Sequence, residues 1–169
     1  MGKKPSEEAK KFKAELLAAI SGAHRINVIE HSWRYDFFDE NGELVEDPPH
    51  IEYERKELTP ELRTGFQAVF ERMPGIPETA FSLCMFEPHH AIEFIDEEGS
   101  KSCIRICFKC GDTEWDGRAV VPPEEFHEVF RSLIEPLGFQ AHREWQELTK
   151  DQVQQVAAEQ PGSLTRVGD

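Results

Sequence analysis

Hydrophobic residues recur at helical spacing near the N-terminus. Ala9, Phe12, Leu16, Ala19 and Ile20 share one face of a helix predicted over residues 6–20. Ser6, followed by Glu7 and Glu8, supplies a start signal and Gly22 a stop. The period then shortens to two. Trp33, Tyr35 and Phe37 alternate with Arg34 and Asp36, and Ile51, Tyr53 and Arg55 alternate again, so residues 24–58 read as strands. Asn41-Gly42 marks a hairpin turn between them, and Pro48-Pro49 interrupts the run. Thr59-Pro60-Glu61 opens a second helix, with Thr as N-cap and Pro in the first turn. Leu62, Phe66, Val69, Phe70 and Met73 line its apolar face, and Pro74-Gly75 ends it.

Residues 79–96 and 101–110 read as two further strands, joined by a turn over 96–100. A third helix starts near Pro122-Pro123 and carries Phe126, Val129, Phe130, Leu133 and Leu137 to Gly138, with His127 on its surface. Thr149-x-x-Gln152 resembles a capping box for a last helix that ends before Pro161. Strands come in hairpin-joined runs and do not alternate one for one with helices. This order predicts an α+β fold, an antiparallel sheet of hairpins with helices packed on one face. The chain of 169 residues reads as a single domain over 1–161 with a mobile tail over 162–169.

Register follows from the turn over 96–100. Centring it on Glu98 sets Phe94 opposite Ser102, Ile92 opposite Ile104 and His90 opposite Ile106. The choice groups Ile92, Phe94, Ile104 and Ile106 on one face, since strand side chains alternate. It also sets His89 opposite Cys107 and Phe86 opposite Cys110.

Charge narrows the function classes. The chain holds 33 Asp plus Glu against 19 Lys plus Arg, a net charge of −14. Phosphate backbones need cationic partners, so direct nucleic-acid binding is not expected. An anionic membrane repels such a chain. The opening residues lack the apolar core of a secretion signal, and no apolar run reaches membrane-spanning length. A cytoplasmic protein is expected, with its four cysteines as thiols or ligands rather than cystines.

The candidate chemistry lies in one window. All four cysteines fall between Cys84 and Cys110, with His89 and His90 among them. Cys107-Phe108-Lys109-Cys110-Gly111 has the spacing of a metal-binding knuckle or a redox pair. Structural zinc takes four sulfur or nitrogen ligands in a tetrahedron. Cys84, His89 or His90, Cys107 and Cys110 make such a Cys₃His set, with Gly111 free to take positive φ beside the thiolates. Two features oppose it. Cys84 to His89 is a loose ligand pair, and Cys107 and Cys110 start on opposite faces of a regular strand. Phe108 must then sit outside the core. The other readings are a reactive thiol pair, or plain buried cysteines. Glu87, beside the histidines, is the best-placed acid. The run Cys84-Met-Phe-Glu-Pro-His-His90 followed by Ile106-Cys-Phe-Lys-Cys110 resembles a segment of small uncharacterised bacterial proteins that carry a Cys, a Pro-x-His turn and a Cys-Phe-x-Cys strand. The resemblance spans residues 79–110, implies no activity, and favours His90 where the register favours His89.

Elsewhere the sequence offers less. His127-Glu128 opens like a zinc-protease motif, but Arg131 stands where the second histidine belongs. Glu52, Glu54, Glu93 and Asp96 read as a solvated face. Nucleophile-elbow, phosphate-loop and dinucleotide motifs are missing. Two function classes stay open. One is an acidic interaction or inhibitor module, such as an immunity protein, that meets a basic protein. The other is a metal- or thiol-dependent enzyme, or a structural zinc site, at the cysteine window.

Overall fold

The computed structural model describes residues 4–77 and 85–159. The chain groups into two compact units, Met1–His31 with Glu52–His142, and Ser32–Ile51 with Arg143–Asp169.

The first unit holds a six-stranded antiparallel sheet. Its strands are β1 (Arg25–His31), β2 (Glu52–Glu57), β3 (His90–Ile95), β4 (Lys101–Cys107), β5 (Asp112–Trp115) and β6 (Arg118–Val120), in the order β2-β1-β3-β4-β5-β6. Three helices, α1 (Glu7–Gly22), α2 (Pro60–Glu71) and α3 (Phe126–Ile134), share its hydrophobic core. The fold is α+β, as the element order predicts.

Local chemistry accounts for the helix ends. Ser6 Oγ accepts from the Ala9 N–H at 3.1 Å and caps α1. Thr59 does the same for α2, with Pro60 at its first turn. Lys13 on α1 donates to the Glu71 and Met73 carbonyls at 2.7 and 2.6 Å, satisfying the end of α2. The core is aromatic: Phe12 meets Phe126 and Trp115 edge-on, at 5.1 and 5.7 Å between ring centroids.

The β3–β4 register is His90–Ile106, Ile92–Ile104 and Phe94–Ser102, the pairing the apolar residues require. Ile26, Val28, Ile92, Phe94, Ile104, Ile106 and Trp115 fill the helix-covered face. The second face carries Asn27, Glu93, Cys103, Arg105 and Cys107.

Several elements differ from the sequence reading. Arg34–Asp36, in the second unit, forms a 3₁₀ turn and not a strand. The Asp36 carboxylate accepts from the Trp33 N–H at 2.6 Å, and this local bond outcompetes a ladder. The Asn41-Gly42 turn forms with Gly42 at φ 78°, but only a lone bridge, Phe38–Leu44, flanks it. The last helix, α4 (Trp145–Glu159), starts a turn earlier than the capping box implies. Thr149 lies inside it and donates to the Trp145 carbonyl at 2.8 Å. Strand β4 ends at Cys107, and 85–89 is not strand. Residues 78–84 and the tail from 160 lie outside the described residues.

Two strands were not foreseen. Asp116 and Gly117 both take positive φ, 48° and 77°, as a two-residue hairpin of primed type demands. Asp116 holds the turn: its carboxylate accepts from the Cys103 N–H at 2.7 Å and the Ser102 hydroxyl at 2.9 Å. Among the described residues, no helix is long and apolar enough to cross a membrane.

Candidate functional site: the Cys107–Cys110 hairpin loop

Cys107 and Asp112 face each other across β4 and β5, so residues 108–111 form a four-residue hairpin loop. Gly111 closes it at φ 73°, and its N–H donates to the Cys107 carbonyl at 3.0 Å. This turn curls the backbone as a regular strand cannot. It brings Cys110 Sγ to 3.1 Å from Cys107 Sγ, although the two start on opposite faces. Both are free thiols, and both are buried.

Asp112 completes the immediate surroundings, with Oδ2 3.5 Å from Cys110 Sγ. Burial raises the Cys110 pKa above the ordinary thiol value, and the neighbouring Cys107 adds to the rise. The Asp112 carboxylate acts in the same direction and its backbone N–H in the opposite one. Cys103, on the second face, is pushed up to about 11, again chiefly by burial.

Phe108 does not take the place outside the core that a zinc knuckle would require. Its ring turns to the helix-covered face and packs against the core, stacked on Phe130 at 5.9 Å. Two imidazoles meet it edge-on, His90 at 5.0 Å and His127 at 6.3 Å. His127 is therefore not a surface residue: it is 7% exposed, and its Nε2 lies 3.1 Å from Thr113 Oγ1 and 3.4 Å from the Asp112 carbonyl.

The two candidate histidines part company. His90 lies on the helix-covered face, 1% exposed, with Nε2 3.5 Å from Glu30 Oε2. Glu30 is fully buried and accepts from the Gln140 N–H at 3.2 Å. Burial lowers the His90 pKa below the usual value, against the raising effect of Glu30. His90 is thus committed to Glu30 and Phe108 on the side away from Cys107. The residues next beyond the last β3–β4 pair are His89 and Cys107, and alternation assigns both to the second face. His89 is buried, and its carbonyl accepts from the His31 N–H at 2.9 Å. Glu87 pairs with Lys109 of the loop at 3.2 Å.

Cys84 lies outside the described residues. Among the described residues, no three His, Cys, Asp or Glu side chains are grouped to hold a metal ion. What the loop does offer is two adjacent thiols with one carboxylate in reach.

Glu93 also departs from expectation. It is 8% exposed rather than solvated, and accepts from Asn27 at 3.0 Å, Arg55 at 2.7 Å and Lys101 at 3.1 Å. Burial alone would raise its pKa; these donors outweigh burial and hold it at about 2.

Sequence reasoning missed Glu30, Asp112 and His127. A signal existed for the first. Ile26, Val28 and Glu30 share a face, as do Phe94, Ile92 and His90, so both runs break from apolar to ionisable at the same rung. Compared with known proteins, the chain matches no family model, no curated protein and no solved structure.

Proposed function

We propose that Cys107 and Cys110 are a redox-active dithiol that closes to a disulfide by exchange with an external disulfide. The observation that carries the proposal is the 3.1 Å approach of their sulfurs. A disulfide bond is about 2 Å long, so closure needs a shift of about 1 Å.

The exchange runs in two steps. One thiol loses its proton, and its thiolate attacks the external disulfide, forming a mixed disulfide and releasing one thiolate. The second cysteine, deprotonated in turn, attacks the first cysteine's Sγ in the mixed disulfide, which forms the Cys107–Cys110 bond and releases the remaining external sulfur as its thiolate. The two protein thiols are oxidised, the external disulfide is reduced, and the two protons end on the leaving thiols. Cys110 is 4% exposed and Cys107 0%, so Cys110 is the sulfur an incoming reagent reaches first. Asp112 is the acceptor near its proton.

The surroundings fix the poise. A strong oxidant stabilises its reduced form as a thiolate, whereas burial and the neighbouring Cys107 disfavour thiolate at Cys110. Close approach of the sulfurs also favours ring closure. The expected potential is about −270 mV or lower, the thioredoxin range. Titration of the purified chain against dithiothreitol buffers, with the bridge mapped by mass spectrometry, tests this. A potential above about −200 mV overturns it. So does a fully oxidised chain without a Cys107–Cys110 bridge. Zinc retained through purification and lost in Cys107→Ser would replace the redox reading with a metal one.

A second reading rests on a separate observation, the net charge of −14. In it the chain binds a basic protein through its acidic surface, and complementary charge speeds and orients the encounter. Capture of a basic protein partner at low salt, released at high salt, tests it. No capture at low salt removes it.

A further inference from the structure

We propose that His90 and His127 are positioning residues for the thiol pair and act through Phe108. The inference rests on the dithiol reading for its chemical purpose, but its geometry stands separately.

Phe108 follows Cys107 directly and sends its ring through the loop into the core. Among the described residues its ring contacts are the hydrocarbon ring of Phe130 and the imidazoles of His90 and His127. Each imidazole is tied to a polar group. His90 lies against Glu30, which is fixed in turn by the Gln140 N–H. His127 reaches Thr113 and the carbonyl of Asp112, the residue that faces Cys107 and approaches Cys110. The clamp thus grips the loop at Phe108 and returns to it at Asp112.

Aliphatic side chains would hold a phenyl ring there at lower cost. Burying a carboxylate and two imidazoles carries a desolvation penalty, and well-packed apolar replacements for such groups are often neutral or stabilising. What polar groups add is direction. The Glu30 carboxylate, 3.5 Å from His90 Nε2, and the Thr113 hydroxyl, 3.1 Å from His127 Nε2, orient the two imidazoles, and edge-to-face contact passes that orientation to Phe108. Phe108 then limits the rotation of the loop that carries Cys110 past Cys107. Preorganisation of this kind is a recurrent reason for a protein to break its own core pattern.

The test is the double variant Glu30→Leu with His90→Phe, which replaces the buried pair by apolar groups and retains a ring against Phe108. The single variant His90→Phe is less suitable, since it removes the imidazole from a buried carboxylate. Two readouts are taken beside a thermal melt. The first is the rate at which iodoacetamide labels Cys107 and Cys110, site by site. The second is the equilibrium constant of the Cys107–Cys110 bridge against glutathione. The expected result is a chain that still melts cooperatively, within a few degrees of the parent because the Gln140 N–H loses its acceptor while the buried charge is removed, with labelling at least tenfold faster and a bridge constant at least tenfold lower. Phe108→Leu, which keeps an apolar side chain but no ring, should move both readouts in the same direction. A stable double variant with unchanged labelling overturns the inference and assigns the pair a purely structural role. If the double variant fails to fold, unchanged labelling in Phe108→Leu overturns it equally. Faster labelling in both variants, with no bridge even in the parent chain, supports the clamp and overturns the dithiol function.

Discussion

Glu93 shows how a single side chain can set a response to acid. Its pKa of about 2 in the folded chain lies well below its ordinary value near 4.5. A depressed carboxylate contributes stability above its unfolded pKa and loses it as pH falls through the folded one. The contribution is thus complete above about pH 4.5 and vanishes toward pH 2, and after a discount for solvent screening of the surrounding charges it amounts to about 2–3 kcal/mol. Glu93→Gln should remove it, and it also leaves the Arg55 guanidinium with one fewer carboxylate. Urea titrations of parent and variant should differ at pH 6 and converge near pH 2. A constant difference across that range would refute the assignment. His90 adds in the same sense: its lowered pKa means that the unfolded chain takes up the proton first, so stability falls as pH drops below about 6.5. Neither role was legible beforehand. Glu93 alternates with apolar neighbours as a solvated residue would, and only pairing with β1 and β2 brings Asn27 and Arg55 around it.

Among the elements, the register of the β3–β4 hairpin was legible to the residue, though not where its strands end, and the β5–β6 hairpin was not seen. The difference lies in the amount of pattern. Four apolar residues must meet across β3 and β4, and only one register achieves it. Strands β5 and β6 have four and three residues, too few for alternation to declare itself. Their best signal is Asp116-Gly117 between Trp115 and Arg118, the dipeptide a tight hairpin favours. Trp33, Tyr35 and Phe37 show the opposite error, since period two over five residues was outweighed by one carboxylate bonding to a nearby amide. Asp116→Ala removes two side-chain acceptors and places a Cβ-bearing residue without polar help at φ 48°. The expected loss is about 2 kcal/mol, read as a lower denaturation midpoint with the m-value unchanged. Asp116→Asn, which keeps the turn preference and one acceptor, should recover about half of it. Equal loss in both variants would show that the turn conformation is not what Asp116 secures.

At the scale of the whole molecule, charge is the property the sequence states outright. A balance of −14 over 169 residues favours cationic partners and disfavours polyanions. If the acidic surface recruits a basic protein, association should slow by one to three orders of magnitude as ionic strength rises from about 0.01 to 0.15 M, where the screening length falls from about 30 to 8 Å. Stopped-flow rates measure this, and an association rate indifferent to salt would exclude electrostatic recruitment. The cysteine window was legible as a place but not as an arrangement. Spacing marked Cys107 and Cys110, and the hairpin register put His89 with Cys107. The side on which His90 lies follows from that same register, but the curl at Gly111 that brings the sulfurs together, and the contact of His90 with Glu30, sixty positions away in the chain, carry no local signal.

The shortness of the 108–111 turn has a thermodynamic corollary. A covalent bridge across it would enclose a very small ring, and small rings withdraw less freedom from the denatured chain than large ones. By chain entropy a four-residue ring is still worth about 2 kcal/mol, against about 3 for one of fifteen residues, so oxidation at that turn would firm the fold by a modest step and reduction would give that step back.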